Sequence, residues 1–247
     1  MKAYSSARDE FEGEAEVFLD ANENSLGSAT EGFYNRYPDP HHKALKNKWS
    51  EIKGVATNSI FFGNGSDEPI DLLIRLFCEP GEDHIITLPP TYGMYGVLAA
   101  TNDIANREVV LTKDFQPDVS AILGQIDHQT KMIFLCSPNN PTANSFEAES
   151  IKTLLESFRG LVIVDEAYID FAEGESWSTK LQEYPNLVII QTLSKAYGLA
   201  GIRLGICYAS PEIIAVLNKI KPPYNVNELT QKRALERILD NDKIESE

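Results

Sequence analysis

Lys195 lies between an apolar run and a glycine-rich turn, among residues able to bind an anion. The run 187–190 has the composition of a buried strand, and Thr192, Ser194 and Arg203 follow it. Such a strand directs these groups to the carboxyl edge of a sheet, where open α/β sheets bind ligands. An amine there can form a Schiff base with a carbonyl cofactor such as pyridoxal phosphate (PLP). A solvated surface lysine is the alternative, and the neighbouring hydroxyl groups and cation favour the cofactor.

An acidic residue stands at the end of a second apolar run. Asp165 directly follows residues 161–164, and Tyr168 comes shortly after it. A carboxylate beside a buried strand is costly unless it meets a cation or a hydrogen-bond donor. A protonated pyridine nitrogen is such a partner, and Tyr168 is near enough to face the same ring. An aspartate that caps a helix is the alternative.

Two more predicted strand ends carry a polar or an aromatic side chain. Asn140 lies in Pro-Asn-Asn-Pro-Thr, a turn stiffened by prolines, where its amide can bond a phenolic oxygen or simply close the turn. Tyr92 follows the predicted strand 85–88 and two prolines. Its ring can stack on a flat cofactor or pack in the core. Either residue alone is weak support for a binding site.

A glycine-rich turn follows the predicted strand 60–62 and leads into an amphipathic helix. The N–H groups of Gly65, Ser66 and Asp67 lie where a helix begins, so they can bind a phosphate. An ordinary capped helix is the alternative, and Ser66 is a favourable N-cap residue. We expect the carboxylates of Asp67 and Glu68 to point away from the phosphate, because like charges repel.

The composition limits the class of protein. The chain has 247 residues and a formal net charge of −15, which argues against binding to nucleic acid or anionic membranes. No apolar run is long enough to span a bilayer. Cys78, Cys136 and Cys207 lie in or beside apolar runs, which predicts buried thiols in a reducing, cytoplasmic compartment. His41 and His42 are adjacent and lack the spacing of metal ligands, so we expect both to be solvated and no metal site.

Predicted strands alternate with predicted helices along the whole chain. This alternation indicates an α/β fold with a mainly parallel, mixed sheet. Besides the strands above, the pattern predicts strands at 108–111, 131–136 and 205–208, and helices at 41–53, 67–77, 145–158, 211–219 and 228–238.

Together, in this order, the strand ends resemble those of the fold type I PLP-dependent aminotransferases. The residues that carry the resemblance are Asn140, Asp165, Tyr168, Ser194, Lys195 and Arg203. Residues 19–24, 36–38, 63–68 and 90–95 narrow it to enzymes that act on a phosphorylated amino alcohol. The resemblance implies a three-layer α/β/α sandwich. It also implies amino-group exchange between glutamate and imidazole-acetol phosphate, in histidine biosynthesis.

The resemblance implies a role for each residue around the cofactor ring. Lys195 would bind PLP covalently and then move the proton between Cα and C4′. Asp165 would pair with the pyridine nitrogen. Asn140 and Tyr168 would bond the ring oxygen, and Tyr92 would stack on the ring.

The resemblance assigns other residues to the cofactor phosphate. Those within one subunit are Gly65, Ser66, Asp67, Thr192, Ser194 and Arg203. Tyr37 would reach the phosphate across the interface of a homodimer. Ala143 stands where the family motif usually continues with glycine, a change that a wider turn would absorb.

Three segments follow from the same resemblance. We expect an N-terminal arm at 1–27, a PLP-binding large domain at 28–226 and the beginning of a small C-terminal domain at 227–247. In the family the small domain carries an arginine for the substrate carboxylate, so we expect this chain to bind PLP but to transaminate poorly. The alternatives are an aromatic aminotransferase, a threonine-phosphate decarboxylase, or a PLP-binding protein without catalysis.

Overall fold

A seven-stranded sheet with helices on both sides forms the centre of the computed structural model, which describes residue 11 and residues 15–240. The strands are β1 (Ile60–Asn64), β2 (His84–Thr87), β3 (Ala105–Glu108), β4 (Thr130–Cys136), β5 (Leu161–Asp165), β6 (Leu187–Thr192) and β7 (Leu204–Tyr208). The helices are α1 (Lys43–Lys53), α2 (Asp67–Phe77), α3 (Met94–Thr101), α4 (Val119–Gly124), α5 (Ala148–Ser157), α6 (Pro211–Ile220) and α7 (Glu228–Leu239).

The strand order places the predicted chemistry at one edge of the sheet. The order is β1-β7-β6-β5-β4-β2-β3, and β7 runs antiparallel to β1 and β6 while the other neighbours are parallel. The carboxyl ends of six strands therefore share an edge with the amino end of β7. Arg203, which precedes β7, consequently lies beside the residues that follow β1 and β6.

The sheet separates two apolar cores, as the predicted three-layer sandwich requires. Along β4, Ile133 and Leu135 face the core that α1, α4, α5 and α7 cover. Met132 and Phe134 face the core that α2, α3 and α6 cover. Successive side chains of a strand point to opposite faces, so a sheet covered on both faces has continuously apolar strands. The predicted fold class is confirmed.

Three predicted elements begin two or three residues away from the predicted position. The strand predicted at 108–111 lies at Ala105–Glu108, because its parallel partner β2 ends at Thr87, before two prolines that cannot donate to a ladder. The helix predicted from 145 begins at Ala148, and the helix predicted from 41 begins at Lys43. Helix α1 begins only at Lys43 because the residue before it, His42, has left-handed backbone geometry, with φ 54°.

The expectation of a solvated His42 is also wrong. Its ring is buried and packs edge-on against Phe62, with the ring centroids 6.1 Å apart. Burial, with the nearby cations of Lys221 and Lys46, lowers the pKa of His42 to about 3. The imidazole is therefore neutral at physiological pH, and it acts as a packing group below α1.

Helix α7 packs on the same core as the sheet. Ala234 and Ile238 are buried in the cluster that includes Trp49 of α1. The side chain of Thr230 donates a hydrogen bond to the backbone oxygen of Ile202, at 2.7 Å. The domain boundary at 227 stays a prediction. Within the described residues, no helix has the length and apolar content needed to cross a membrane.

Candidate active site

A cavity of about 210 Å³ opens at the carboxyl edge of the sheet. The structure brings ten of the twelve predicted site residues to its wall: Ser66, Asp67, Tyr92, Asn140, Asp165, Tyr168, Thr192, Ser194, Lys195 and Arg203. They come from five strand ends and from the residue before β7. Residues far apart in the chain meet here because the parallel strands end together.

Lys195 stands on a short loop whose shape its neighbours determine. The side chain of Thr192 donates a hydrogen bond to the hydroxyl of Ser194 at 3.0 Å, and it accepts one from the backbone N–H of Ser194 at 3.1 Å. The Lys195 amine lies 5.4 Å from the centre of the Tyr168 ring, within the range of a cation–π contact. The amine is thus held over an aromatic face at the cavity wall.

Asp165, the last residue of β5, is buried at the base of the cavity. Its Oδ2 accepts a hydrogen bond from the Tyr95 hydroxyl at 2.6 Å, and its Oδ1 accepts one from the backbone N–H of Ala167 at 3.0 Å. Burial raises the pKa of Asp165 to about 6, although both donors favour the charged form. The carboxyl group is therefore mostly ionised at neutral pH, and a cation in the cavity would stabilise that form further.

Tyr92 and Asp67 form one side of the cavity. The Tyr92 hydroxyl donates a hydrogen bond to Asp67 Oδ1 at 3.2 Å, and burial with that carboxylate raises the pKa of Tyr92 to about 12. This bond holds the Asp67 carboxylate at the cavity wall, and its direction relative to a bound phosphate stays a prediction. Glu68 does point away, since it accepts bonds from the backbone of Asn64 and the amide of Asn225.

The turn between β1 and α2 brings backbone N–H groups close to Arg203. Gly65 has φ 78°, and its N–H donates to the Arg203 carbonyl at 2.8 Å. A Cβ at Gly205 would lie 2.2 Å from the nitrogen of Ser66, so only glycine permits this approach. Ser66 occupies the N-cap position of α2 but its side chain makes no capping bond, contrary to the expectation. Its hydroxyl lines the cavity instead.

The two asparagines of the proline turn have different surroundings. Asn139 is buried, accepts a bond from Thr91 at 3.0 Å and donates to the Pro90 carbonyl at 2.9 Å and to Thr142 at 2.7 Å. It therefore closes the turn, which leaves Asn140 to line the cavity. The turn is closed by Asn139, and a bond from Asn140 to a phenolic oxygen stays a prediction.

Tyr37 does not join the cavity within this chain. Its ring stacks on Tyr224, with centroids 4.4 Å apart and planes 13° from parallel. It lines a separate cavity of about 440 Å³ together with residues of the N-terminal segment. A contact between Tyr37 and a cofactor phosphate in the first cavity requires a second copy of the chain.

The sequence analysis assigned no role to Tyr95, whose hydroxyl bonds Asp165. Tyr95 lies three residues beyond Tyr92 and is fully buried. A buried tyrosine hydroxyl nearly always has a partner, which is the signal that pointed to a polar group beside it. The identity of that partner depends on a contact between positions 95 and 165, which no local pattern encodes.

Comparison with known proteins gives a consistent result. The family model for "Aminotransferase class I and II" matches residues 10–247. Histidinol-phosphate aminotransferase from Flavobacterium johnsoniae is 63% identical over 250 residues, which covers 100% of this chain and 70% of that protein. The same enzyme from Christiangramia forsetii is 60% identical over 99% of this chain and 69% of that protein.

A solved structure agrees in fold. Histidinol-phosphate aminotransferase from Sinorhizobium meliloti, in complex with pyridoxal-5'-phosphate, matches with a TM-score of 0.81 and 24% identity. The match covers 92% of this chain and 65% of that one. The present chain thus spans about two thirds of the length of the proteins it matches.

Proposed function

Because the chain belongs to the aminotransferase class I and II family, we propose that it is a PLP-dependent aminotransferase in which Lys195 holds the cofactor. One observation carries the proposal. A single cavity collects a lysine amine, a buried carboxylate, an aromatic ring, an amide and a guanidinium. Each group suits a different part of PLP.

The donor set fits PLP from one end to the other. Asp165 offers a buried carboxylate to the protonated pyridine nitrogen, and Asn140 and Tyr168 offer donors to the ring oxygen. At the other end, hydroxyl groups, the guanidinium of Arg203 and the N–H groups at the start of α2 suit a phosphate. These donors are Ser66, Asp67, Thr192, Ser194 and Arg203. Gly65, the other residue predicted within one subunit, does not line the cavity, and its N–H already donates to the Arg203 carbonyl.

The residues divide the chemical work. PLP, when bound, supplies an electron sink for the electrons of the substrate Cα–H bond. Asp165 holds a proton on the pyridine nitrogen, and Lys195 Nζ takes the proton from the substrate Cα. The Tyr168 ring positions that amine, and the Tyr92 ring at the cavity wall would stack on the cofactor ring.

The proposed substrates are histidinol phosphate with imidazole-acetol phosphate, and glutamate with 2-oxoglutarate, in histidine biosynthesis. The relatives at 60–63% identity that bear this enzyme's name support the assignment. A second cavity of about 600 Å³ shares Asn140 and Tyr168 with the first and provides room for a substrate beside them. The proposed compartment is the cytoplasm, which three buried free cysteines favour.

A homodimer is the proposed assembly, with Tyr37 completing the phosphate site of the partner subunit. Large apolar side chains of the N-terminal segment are exposed: Leu19 by 84%, Leu26 by 94% and Phe33 by 89%. A second copy would cover them. Mixing Tyr37→Phe chains with Lys195→Ala chains tests the crossing, because a mixed dimer regains one site with both side chains. PLP binding no tighter than in the Tyr37→Phe dimer would exclude it.

The visible absorption spectrum of the chain with PLP tests the proposed function. We expect a bound-cofactor band that Lys195→Ala abolishes, while the control Lys180→Ala, which breaks only a surface ion pair with Glu183, leaves it unchanged. Histidinol phosphate should shift the band. A shift produced instead by an aromatic amino acid or by threonine phosphate would transfer the assignment to those enzymes, and a wild-type chain without a band would refute PLP binding.

A further inference from the structure

Tyr95 lies beside the cavity and contacts two of the four residues proposed to surround the cofactor ring, Asp165 and Tyr92. It is fully buried on α3. Its hydroxyl donates to Asp165 Oδ2 at 2.6 Å. Its ring meets the Tyr92 ring edge-on, with centroids 5.5 Å apart and planes at 81°. One side chain therefore joins the proposed nitrogen partner to the proposed stacking ring.

The ring of Tyr95 is itself held in place. It stacks on Phe134 of β4, with centroids 4.7 Å apart and planes 20° from parallel. Phe134 is buried in the same core. A tyrosine fixed on one face by an aromatic ring and on its edge by another has little freedom to rotate, so its hydroxyl is pre-aligned with the Asp165 carboxylate.

We propose that Tyr95 is a positioning residue, which aims the Asp165 carboxylate into the cavity and favours its ionised form. This inference rests on the proposed function, in which Asp165 faces the pyridine nitrogen. The bond to Oδ2 prevents rotation of the carboxylate, and the N–H of Ala167 holds Oδ1. Each oxygen keeps lone-pair capacity for a further donor.

The charges around Asp165 explain why the hydroxyl matters. Burial raises the pKa of Asp165 to about 6, and the Asp67 carboxylate from α2 acts in the same direction. Lys195, on the loop after β6, opposes them. Tyr95 is the largest of the opposing influences, ahead of the Ala167 N–H. The Cys136 thiol of β4 also faces this carboxylate, but burial raises its pKa to about 12, so it is neutral.

The substitution Tyr95→Phe tests the proposal, because it removes the hydroxyl and keeps the stacked ring. Tyr208→Phe is the matched control. Tyr208 is also fully buried and hydrogen-bonded, but it lies on the opposite side of the sheet, with Trp49 and Gln191 as partners. Any effect common to both variants reports the loss of a buried hydroxyl in general.

The first readout is the titration of Asp165 in the full chain without PLP, followed by carboxyl-carbon NMR and assigned with Asp165→Asn. We expect Tyr95→Phe to move the midpoint upward by about one pH unit, the value of a hydrogen bond to a charged group. Tyr208→Phe should leave it unchanged. An unchanged midpoint in Tyr95→Phe overturns the proposal, even if that variant is less stable.

The second readout is PLP affinity as a function of pH, measured by absorbance. In Tyr95→Phe the loss of affinity on acidification should begin about one pH unit higher than in the wild type. A parallel curve displaced by the same factor at every pH would instead indicate a purely structural role. A wild-type chain that binds no PLP would refute the proposed function, whereas the NMR titration would still decide how Tyr95 acts on Asp165.

Discussion

Two neighbouring carboxylates at the end of β5 are both buried, yet their surroundings differ. Asp165 faces the side of the sheet that α3 covers, where Tyr95 and Ala167 donate to it and its remaining surface lines the cavity. Glu166 lies within a closed network. It accepts bonds from Ser176 at 2.5 Å, the Trp177 N–H at 2.7 Å and Gln191 at 2.9 Å.

The network around Glu166 extends through the opposite core. Gln191 accepts a bond from the Tyr208 hydroxyl at 3.1 Å, which accepts one from the Trp49 indole at 2.6 Å. Each of these polar groups has a protein partner, so the network stabilises the fold and leaves nothing to offer a ligand. Burial raises the pKa of both carboxyl groups. A raised pKa therefore does not separate a ligand-binding acid from a structural one, but unused bonding capacity at a cavity does.

The strongest test exchanges each carboxylate for its amide. Asp165→Asn should weaken PLP binding at least ~30-fold, the effect of removing one partner of a buried charge pair worth about 2 kcal/mol. Glu166→Gln should instead lower the free energy of unfolding by about 1–3 kcal/mol, because its amide nitrogen faces a donor. Cofactor titration and urea unfolding of both variants measure the two effects. If Glu166→Gln stays folded but weakens PLP binding as much as Asp165→Asn does, Glu166 is not the purely structural acid that its network indicates.

The pH dependence of stability provides a second test. Without PLP, folded Asp165 keeps its proton up to a pKa of about 6, whereas the unfolded carboxyl loses it near 3.8. The folded state therefore binds more protons between these values, and stability decreases as the pH rises through them. The contribution of this group is about 3 kcal/mol.

Bound PLP should remove the part of the decrease in stability that Asp165 causes, because a pyridinium partner lowers the pKa of Asp165 again. Urea unfolding from pH 4 to 7, with and without PLP, measures the change, and Asp165→Asn is the control that lacks the titrating group. A decrease of the same size in the wild type and in Asp165→Asn would assign the effect to other carboxyl groups.

The sequence predicted the residues that stand directly after strands better than the residues that support them. Asp165 and Lys195 could be found because an apolar run gives the position of a strand end, and parallel strands end at one edge. The sequence did not predict the roles of Tyr95 and Glu166, because the residues that bond them are distant in the chain. Trp49 and Tyr208, which share a hydrogen bond, are likewise far apart in the sequence. Only the strand order brings such pairs together.

Local conformation also limited the prediction. The absence of metal-ligand spacing predicts a solvated His42, but its backbone is left-handed and its ring is buried against Phe62. The Asp67 carboxylate is held at the cavity wall by the Tyr92 hydroxyl, a contact that the sequence analysis did not predict. In both places the surroundings of the side chain depend on the tertiary structure, which the local sequence does not show.

Asn139 and Asn140, which follow β4, differ in the same way as Glu166 and Asp165: one is bonded within the protein and the other lines the cavity. We expect their substitutions to have smaller effects. Asn139→Ala removes the buried hydrogen bonds to Thr91, Thr142 and the Pro90 carbonyl, so we expect a loss of about 1–3 kcal/mol in unfolding free energy. Asn140→Ala should change that free energy by less than about 0.5 kcal/mol and weaken PLP binding. Thermal unfolding and PLP titration separate the two. Equal destabilisation by both variants would mean that Asn140 stabilises the turn as much as Asn139 does.

The smallest effect concerns the backbone that holds those asparagines. Ala143 has φ 63°, and its N–H donates to the Asn139 carbonyl at 2.7 Å. An L-residue in this left-handed region costs roughly 1–2 kcal/mol, whereas glycine loses about 0.5–1 kcal/mol more backbone entropy on folding. Ala143→Gly should therefore stabilise the chain by about 0.5 kcal/mol and leave PLP affinity unchanged, as urea unfolding and cofactor titration would measure. A gain in PLP affinity would mean instead that strain in this turn displaces Asn140, and the separation between the structural and the ligand-facing asparagine would then be incomplete.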